Sequence, residues 1–186
     1  KIDLGLSDTS LGFLTGFAFA LFYATLGIPI AKYADRGNRR NLIAVSIAVW
    51  SFMTALSGLA QNFFHLLFSS IGVGVGEAGF SPPAHSIISD YFPANTRSTA
   101  LGIYSLGIPF GIMFGLFAGG WINEIFGWRL AFFVVGIPGL LLALIFRLTV
   151  KEPIRGQAEG RADTREQPTI FETISFLLKK KSFRHL

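Results

Sequence analysis

The chain has 186 residues, of which 51% are apolar and 15% charged, and its mean hydropathy is +0.53. A soluble domain of this size usually carries more charge, so the composition argues for a membrane protein. The net charge of +5 does not indicate a nucleic-acid-binding protein, because the basic residues follow a pattern typical of membrane topology. The chain has no cysteine, which excludes disulfide and thiol chemistry.

Five apolar runs are long enough to cross a bilayer as helices. We place them at Leu11–Ala31, Leu42–Ala60, Phe63–Ile88, Ala100–Ile122 and Leu130–Leu148. The runs are apolar on all sides, which fits lipid-exposed helices, whereas a transmembrane barrel would show short alternating strands. The sequence therefore predicts an all-α membrane protein with its transmembrane helices in residues 1–149.

Lysine and arginine are distributed unequally between the two sets of loops. If the first helix runs inward, the odd-numbered loops and the tail hold fourteen of the sixteen basic residues, and the other side holds only Lys1 and Arg129. This positive-inside pattern places the N-terminus outside and the C-terminal end in the cytoplasm, in a plasma (inner) membrane. An N-terminus outside the membrane is hard to translocate without a preceding span or signal. We therefore expect a further helix upstream and interpret the chain as a fragment.

The loop between the first two spans reads GIPIAKYADRGNRR. It resembles the signature loop between helices two and three of the major facilitator superfamily, of the form G-x-x-x-D-R-x-x-R-R. The matching residues are Asp35, Arg36, Arg39 and Arg40. Whatever the family, arginines after a helix end can meet its C-terminal carbonyls, and Asp35 can pair with a facing helix N-terminus.

The next loop on the same side carries Asp90 and Arg97. We expect both to join Asp35 and the three arginines of the preceding loop in one charge cluster that gates the cytoplasmic face. The alternative is a set of independent solvated charges, each worth under ~1 kcal/mol. The sequence leaves both interpretations open.

Glu77 lies in the middle of the third apolar run. It is fourteen residues from Phe63 and thirteen from Asp90, or ~20 Å from either end if the run is one helix. An ionisable group at that depth costs at least ~2.5 kcal/mol and is a functional-site hypothesis by default. The alternative is an acid that snorkels or pairs with a neighbouring helix. Pro82 and Pro83 lack N–H groups, so the backbone beside the acid should be loosened.

Two further polar residues of this run are assigned to the same site. Ser70 precedes Glu77 by two turns and shares its helix face, and His85 is the other plausible buried acid–base group. We expect Glu77, Ser70 and His85 to couple proton and substrate movement. Gly72 and Gly76 form a G-x-x-x-G pair that lets another helix approach closely.

Glycine recurs every four residues in the fourth run, at Gly107, Gly111, Gly115 and Gly119. These glycines lie nearly on one helix face, where we expect close helix packing. The helix also resembles the antiporter motif of the same superfamily, but Leu116 stands where that motif has proline. Helix packing is therefore the favoured interpretation.

Residues 150–186 form the predicted cytoplasmic part. Residues 151–168 are polar and indicate a linker. Thr169–Leu178 is apolar enough for a short amphipathic interfacial helix, followed by three lysines, although it could equally lead into a second membrane half. The sequence shows no soluble-enzyme motif, phosphate-binding loop or Cys/His metal spacing, so we predict no enzyme activity, no cofactor and no metal.

The order of loops and helices resembles helices two to six of a major facilitator transporter over almost the whole chain. The stretch GVGVGEAGFSPPAHSIISDYFP, with the later GWRLAFF, is most similar to the spinster branch, which is associated with lysolipid and sphingolipid export in animals. Ser70 stands where that branch normally has arginine. The resemblance implies a twelve-helix protein of two six-helix halves around a central cavity, with this chain as part of the N-terminal half.

The resemblance further implies secondary active, proton-coupled transport of an amphipathic or lipid-like organic solute. The expected partners are the lipid bilayer, that solute, the proton and the missing helices of the same transporter, but no nucleic acid. The alternative is a non-transporting receptor or scaffold on the same fold, which would bind without flux. A membrane-embedded enzyme is disfavoured, because only Glu77 and His85 are plausible buried acid–base groups.

Overall fold

The computed structural model describes residues 4–160 and, beyond them, Phe176, Lys179 and Lys180. The regular structure of residues 4–160 is helical throughout. Its helices are α1 (Asp8–Gly12), α2 (Phe19–Arg36), α3 (Arg39–Ser57), α4 (Phe63–Ala78), α5 (Ser81–Tyr91), α6 (Ala94–Phe126) and α7 (Trp128–Thr149). A π-helical turn at Phe13–Ala18 joins α1 to α2, and a 3-10 turn at Gln157–Glu159 follows α7.

Five helical stretches in the described residues are long and apolar enough to cross a membrane. They are Asp8–Arg36, Arg39–Ser57, Phe63–Tyr91, Ala94–Phe126 and Trp128–Thr149. Each coincides with one predicted run, so the prediction of an all-α protein with five spans is confirmed. Most helices extend beyond the predicted runs, because an apolar run marks only contact with hydrocarbon, whereas the backbone hydrogen bonds of a helix continue through polar residues.

The second and third predicted spans need correction. The second ends three residues early, since Gly58, Leu59 and Ala60 form a turn instead of helix. The third is two helices rather than one: α4 and α5 are separated by Gly79 and Phe80, just past Glu77.

The N–H of Phe80 bonds the carbonyl of Glu77 at 3.1 Å, which tightens the backbone after α4. Pro82 and Pro83 lie in the first turn of α5, where their missing N–H groups would have no partner within the helix. The two prolines therefore follow a helix break directly after the last turn of α4, and a looser backbone beside Glu77 stays a prediction.

Helix α3 packs closely against both α4 and α7. A Cβ atom on Gly136 of α7 would lie 2.6 Å from the backbone nitrogen of Ala55 and 2.7 Å from the carbonyl oxygen of Ser51. A Cβ atom on Gly76 of α4 would lie 2.7 Å from the backbone nitrogen of Trp50. Only glycine allows such an approach, so the close packing predicted for the G-x-x-x-G pair of α4 is confirmed.

Helix α6 is packed differently from its neighbours. Of its 33 residues only Ile122 is buried. Cβ atoms placed on Gly107, Gly111, Gly115 and Gly119 would meet nothing within 4 Å in the described part of the chain. The helix packing predicted for this face is therefore not made by residues 4–160, and it stays a prediction about a partner helix.

The two ends of the bundle differ in chemistry. We call the end that holds Leu6, Ser57, Leu66 and Trp128 the cavity end, where α1, α4 and α7 begin and α3 ends. We call the opposite end the cluster end, where α2, α5 and α7 end, α3 and α6 begin, and residues 151–160 follow. The predicted interfacial helix Thr169–Leu178 lies outside the described residues apart from Phe176, and the predicted domain boundary at residue 150 stays a prediction.

Candidate functional site

Arg39 is the centre of a network of ion pairs and hydrogen bonds at the cluster end. It begins α3, and only 1% of its surface is exposed. Its Nη1 donates to the Asp90 carboxylate and to Ser86 Oγ at 2.7 Å, its Nε to Glu152 Oε1 at 2.8 Å, and its Nη2 to the Pro153 carbonyl at 3.0 Å. A buried guanidinium requires such partners, because otherwise its desolvation would destabilise the fold.

The two carboxylates of the network each bond through both oxygens. Glu152 Oε2 accepts from the backbone N–H of Arg40 at 2.7 Å, which also places a negative charge at the N-terminus of α3. Asp90 Oδ1 accepts from the backbone N–H of Gly156 at 2.9 Å. The segment 151–160 is thereby bonded to the beginning of α3 and the end of α5.

Arg155 and Arg97 extend the network to α2 and α6. Arg155 Nη2 donates to two backbone carbonyls at the end of α2 and the loop after it, including that of Ala34 at 2.7 Å. Arg97, near the beginning of α6, donates to the carbonyl of Ser89 at 3.0 Å and to Glu159 Oε1 at 3.1 Å. Residues 151–160 therefore connect the cluster-end termini of four helices.

The predicted gate residues are brought together in part. They are Asp35, Arg36, Arg39, Arg40, Asp90 and Arg97. Arg39 and Asp90 are in direct contact, and Arg40 joins them through its backbone bond to Glu152. Arg97 reaches the same network through Glu159. Asp35 and Arg36 are the last two residues of α2, and both are exposed. The gating role of these residues stays a prediction.

Sequence reasoning missed the partners supplied by residues 151–160, which it interpreted as a linker. Glu152 and Glu159 are acidic residues directly after the last span, at the end of the bundle where the loops are basic. This opposite charge is the signal that could have identified them. Ser86, in the middle of α5, gave no such signal.

Glu77 lies in the last turn of α4, directly before the helix break, and is half-buried. Within residues 4–160 its carboxylate has no hydrogen bond and no ion pair. The break beside it is surrounded by aromatic rings: Phe80 packs edge-on against Trp50 at 5.1 Å and stacks on Tyr104 at 6.2 Å. Aromatic rings thus pack around the break that follows this acid, and no cation of residues 4–160 forms an ion pair with it.

A cavity of about 450 Å³ lies at the cavity end, between the first span, α3, α4 and α7. Its walls are mainly leucine and aromatic side chains, with hydroxyl groups from Thr15, Thr54, Ser57 and Ser70. No charged side chain of the described residues lines it. A largely apolar cavity with a few fixed polar groups fits an amphipathic organic ligand.

The structure does not bring Glu77, Ser70 and His85 together in one site. Ser70 lines the cavity, whereas Glu77 lies two turns further along α4 and does not. His85 lies on α5 beyond the break, is exposed, and packs edge-on against Tyr104 at 5.1 Å. The physical reason is the length of chain between them: at 1.5 Å per residue, the fifteen residues from Ser70 to His85 span ~22 Å of helix, and the break at Gly79 and Phe80 lies between them. Their coupling role stays a prediction.

Comparison with known proteins relates this arrangement to transporters. A family model described as Major Facilitator Superfamily matches residues 1–185. The MFS-type efflux pump of Mycolicibacterium smegmatis is 38% identical over 81% of this chain and 35% of its own length. The probable galactarate/D-glucarate transporter GudP of Bacillus subtilis is 36% identical over 81% of this chain and 34% of its own. Protein spinster homolog 1 of Xenopus tropicalis is 34% identical over 98% of this chain and 35% of its own.

Solved structures show the same relationship. A bacterial homolog to the human lysosomal transporter Spinster, in an inward-facing and occupied conformation, aligns with a TM-score of 0.76 and 45% identity, over 85% of this chain and 40% of that one. A structure in the inward-facing and unoccupied conformation aligns with a TM-score of 0.72 and 41% identity, over 96% of this chain and 43% of that one.

These matches confirm the predicted resemblance to spinster proteins, and they relate the chain to transporters rather than enzymes. The chain spans about a third of the length of the curated relatives it matches. On this evidence the chain belongs to the Major Facilitator Superfamily, with spinster homologs among its relatives.

Proposed function

We propose that the protein to which this chain belongs is a secondary active transporter for an amphipathic or lipid-like organic solute, coupled to protons. The observation that carries the solute class is the cavity at the cavity end, which is largely apolar and lined by no charged side chain of residues 4–160. Membership of a transporter family supports transport by alternating access.

The names of the relatives point to different solutes. One curated relative is named as a probable galactarate/D-glucarate transporter, and others are spinster homologs. A sugar diacid requires cationic partners, since carboxylates are recognised best by arginine or lysine. The lining of the cavity offers hydroxyl groups instead. This chemistry favours an amphipathic solute over a sugar acid.

The arrangement of the two ends supports alternating access. Residues 151–160 connect the termini of α2, α3, α5 and α6 at the cluster end, whereas the cavity lies at the opposite end. We assign the cluster end to the cytoplasmic side of a plasma (inner) membrane, because every lysine and arginine of residues 4–160 except Arg129 lies at that end. The solute would then enter the cavity from outside while the cluster end is closed.

Glu77 is the residue that we assign to proton coupling. It lies within a membrane span, at a helix break and without an ionic partner in the described residues. An acid in this position can take up a proton when water reaches it from one side and release the proton when access changes.

Flux measurements with the full-length protein in liposomes test this proposal. The two probes are a fluorescent lysophospholipid, as an amphipathic solute, and galactarate, as a charged sugar acid. We expect a proton gradient to drive uptake of the lysophospholipid and not of galactarate. Binding of the lysophospholipid without flux would assign the protein as a receptor or scaffold, and flux of galactarate alone would contradict the proposed solute class.

A further inference from the structure

A groove of about 430 Å³ runs between α3 and α7 near the cluster end. Its α3 wall extends from Asn41 to Ala48, and its α7 wall extends from Leu140 to Arg147. We propose that this groove binds an anionic glycerophospholipid of the surrounding bilayer, with the lipid phosphate at Arg147 and one acyl chain along the groove.

The groove has the polarity and length of part of a lipid molecule. On each helix its lining residues recur at positions i, i+3, i+4 and i+7, which lie on one helix face. Because α3 and α7 are antiparallel, the polar residues Asn41 and Arg147 lie together at the cluster end, and the aliphatic residues follow toward the bilayer centre. Seven residues of helix cover ~10 Å, about two thirds of the ~15 Å hydrocarbon depth of one leaflet.

The polar end of the groove is positively charged. Arg147 is exposed and has no hydrogen bond or ion pair in the described part of the chain. Arg40 reaches the carbonyl of Val150 at 3.5 Å, beside the end of α7, and adds a second cation. The nearby acids Asp90 and Glu152 are engaged within the Arg39 network. Basic pockets between transmembrane helices favour anionic head groups.

Two buried polar atoms at this end lack partners. Asn41 Oδ1 and Arg40 Nε have no hydrogen bond within the described residues. Asn41 lines the groove, so rotation of its side-chain amide would present a hydrogen-bonding group to the lipid head group. A head group with both a phosphate and hydroxyl groups, such as that of phosphatidylglycerol, offers an acceptor to the guanidinium and a donor to the amide oxygen.

This lipid site is separate from the proposed transport cavity. The groove lies near the opposite end of the bundle and shares no lining residue with the cavity. A lipid bound here would be a structural lipid on the membrane-facing surface of the protein. Its binding does not depend on whether the protein transports a solute.

Native mass spectrometry of the full-length protein tests the proposal. The protein is equilibrated with phosphatidylglycerol or phosphatidylethanolamine of identical acyl chains, and the lipid retained with highest affinity is measured. We expect phosphatidylglycerol to be retained in preference. Arg147→Gln should weaken its retention about fivefold, the effect of one basic residue at an anionic membrane surface. Phosphatidylethanolamine should be much less affected by this substitution.

Two further variants make the test specific to the groove. Val45→Trp fills it from a side chain that is 58% exposed, so one bound phosphatidylglycerol should be lost without disturbance of the core. Lys32→Gln removes a cation at the same end that does not line the groove and should change nothing. Equal retention of both lipids, or unchanged retention in Arg147→Gln, would overturn the proposal. If Val45→Trp fails to fold, the surface variant Arg147→Gln decides the question alone.

Discussion

Two ionisable residues of this bundle have contrasting surroundings. The guanidinium of Arg39 is buried, and each of its nitrogens is bonded to a partner. The carboxylate of Glu77 is half-buried and has no such partner in residues 4–160. A fully bonded charge fixes the geometry of the helices around it, whereas an ionisable group without bonds is available for exchange of a proton.

Substitution of Glu77 tests the proton coupling that we propose. Glu77→Gln keeps the shape of the side chain but cannot release a proton. We expect the variant to fold and bind solute, while its flux in liposomes no longer rises when a pH gradient is imposed. The matched control is Glu124→Gln, at an exposed acid of α6, which should keep the gradient-dependent flux. Gradient-driven flux by Glu77→Gln would mean that another group couples the proton.

Substitution of Arg39 tests its structural role. Arg39→Leu leaves the carboxylates of Asp90 and Glu152 close together without their shared cation. We expect the free energy of unfolding to fall by about 3 kcal/mol or more, because one partner of a buried ion pair is removed. The control Arg36→Leu, at the exposed end of α2, should change it by less than about 0.5 kcal/mol. SDS titration of the full-length protein measures the free energy of unfolding of both variants. If Arg39→Leu and Arg36→Leu lose similar amounts, the network does not stabilise the bundle.

At the scale of the helices, the close contact between α3 and α7 depends on Gly136, because a residue without a side chain lets the two backbones approach. Gly136→Ala would place a Cβ atom 2.6 Å from the backbone of Ala55. We expect it to lower the free energy of unfolding by about 1–3 kcal/mol, the range for overpacked cores. Gly102→Ala on α6 meets nothing within 4 Å among the described residues and should be nearly neutral. A neutral Gly136→Ala would indicate that α3 and α7 can separate at little cost.

The glycines also explain how much of the helix packing the sequence could predict. The five spans were predictable, because the thickness of a bilayer sets the length of an apolar run. Which helix packs on which face depends on neighbours that periodicity does not identify. The regular series from Gly107 to Gly119 indicated packing, yet its face is open in residues 4–160, whereas Gly136 and Gly139 touch α3 and were not singled out.

The candidate site was predictable to a similar degree. Arg39 and Asp90 were expected to meet, because both lie in loops on the same side of the membrane, and they do. Glu152 was missed, because it lies 113 residues from Arg39 and no local pattern connects the two. The separation of His85 from Ser70 was missed as well, although residue spacing gives it: fifteen residues of helix span ~22 Å, too far for the two side chains to share one site.

At the scale of the whole molecule, the orientation in the membrane is open to a direct test. Gly37→Cys and Gly160→Cys lie at the cluster end, and Asn62→Cys lies at the cavity end before α4. Because basic residues are concentrated at the cluster end, an impermeant thiol reagent applied to intact cells should label position 62 alone. This chain has no cysteine of its own that would add background labelling. Labelling at positions 37 and 160 but not at position 62 would indicate the opposite orientation.

The bonds between Arg39 and the segment after α7 join residues that are synthesised at different times. Arg39 and Glu152 are separated by 113 residues, and a ribosome adds ~5–20 residues per second. Arg39 is therefore synthesised on the order of 10 s before the carboxylate that completes its burial. During that interval its guanidinium must remain in water or among lipid head groups, because hydrocarbon would exclude it. The bonds that Glu152 makes at the cluster end can therefore form only after residues 151–160 have been synthesised, later than the contacts among α2 to α5.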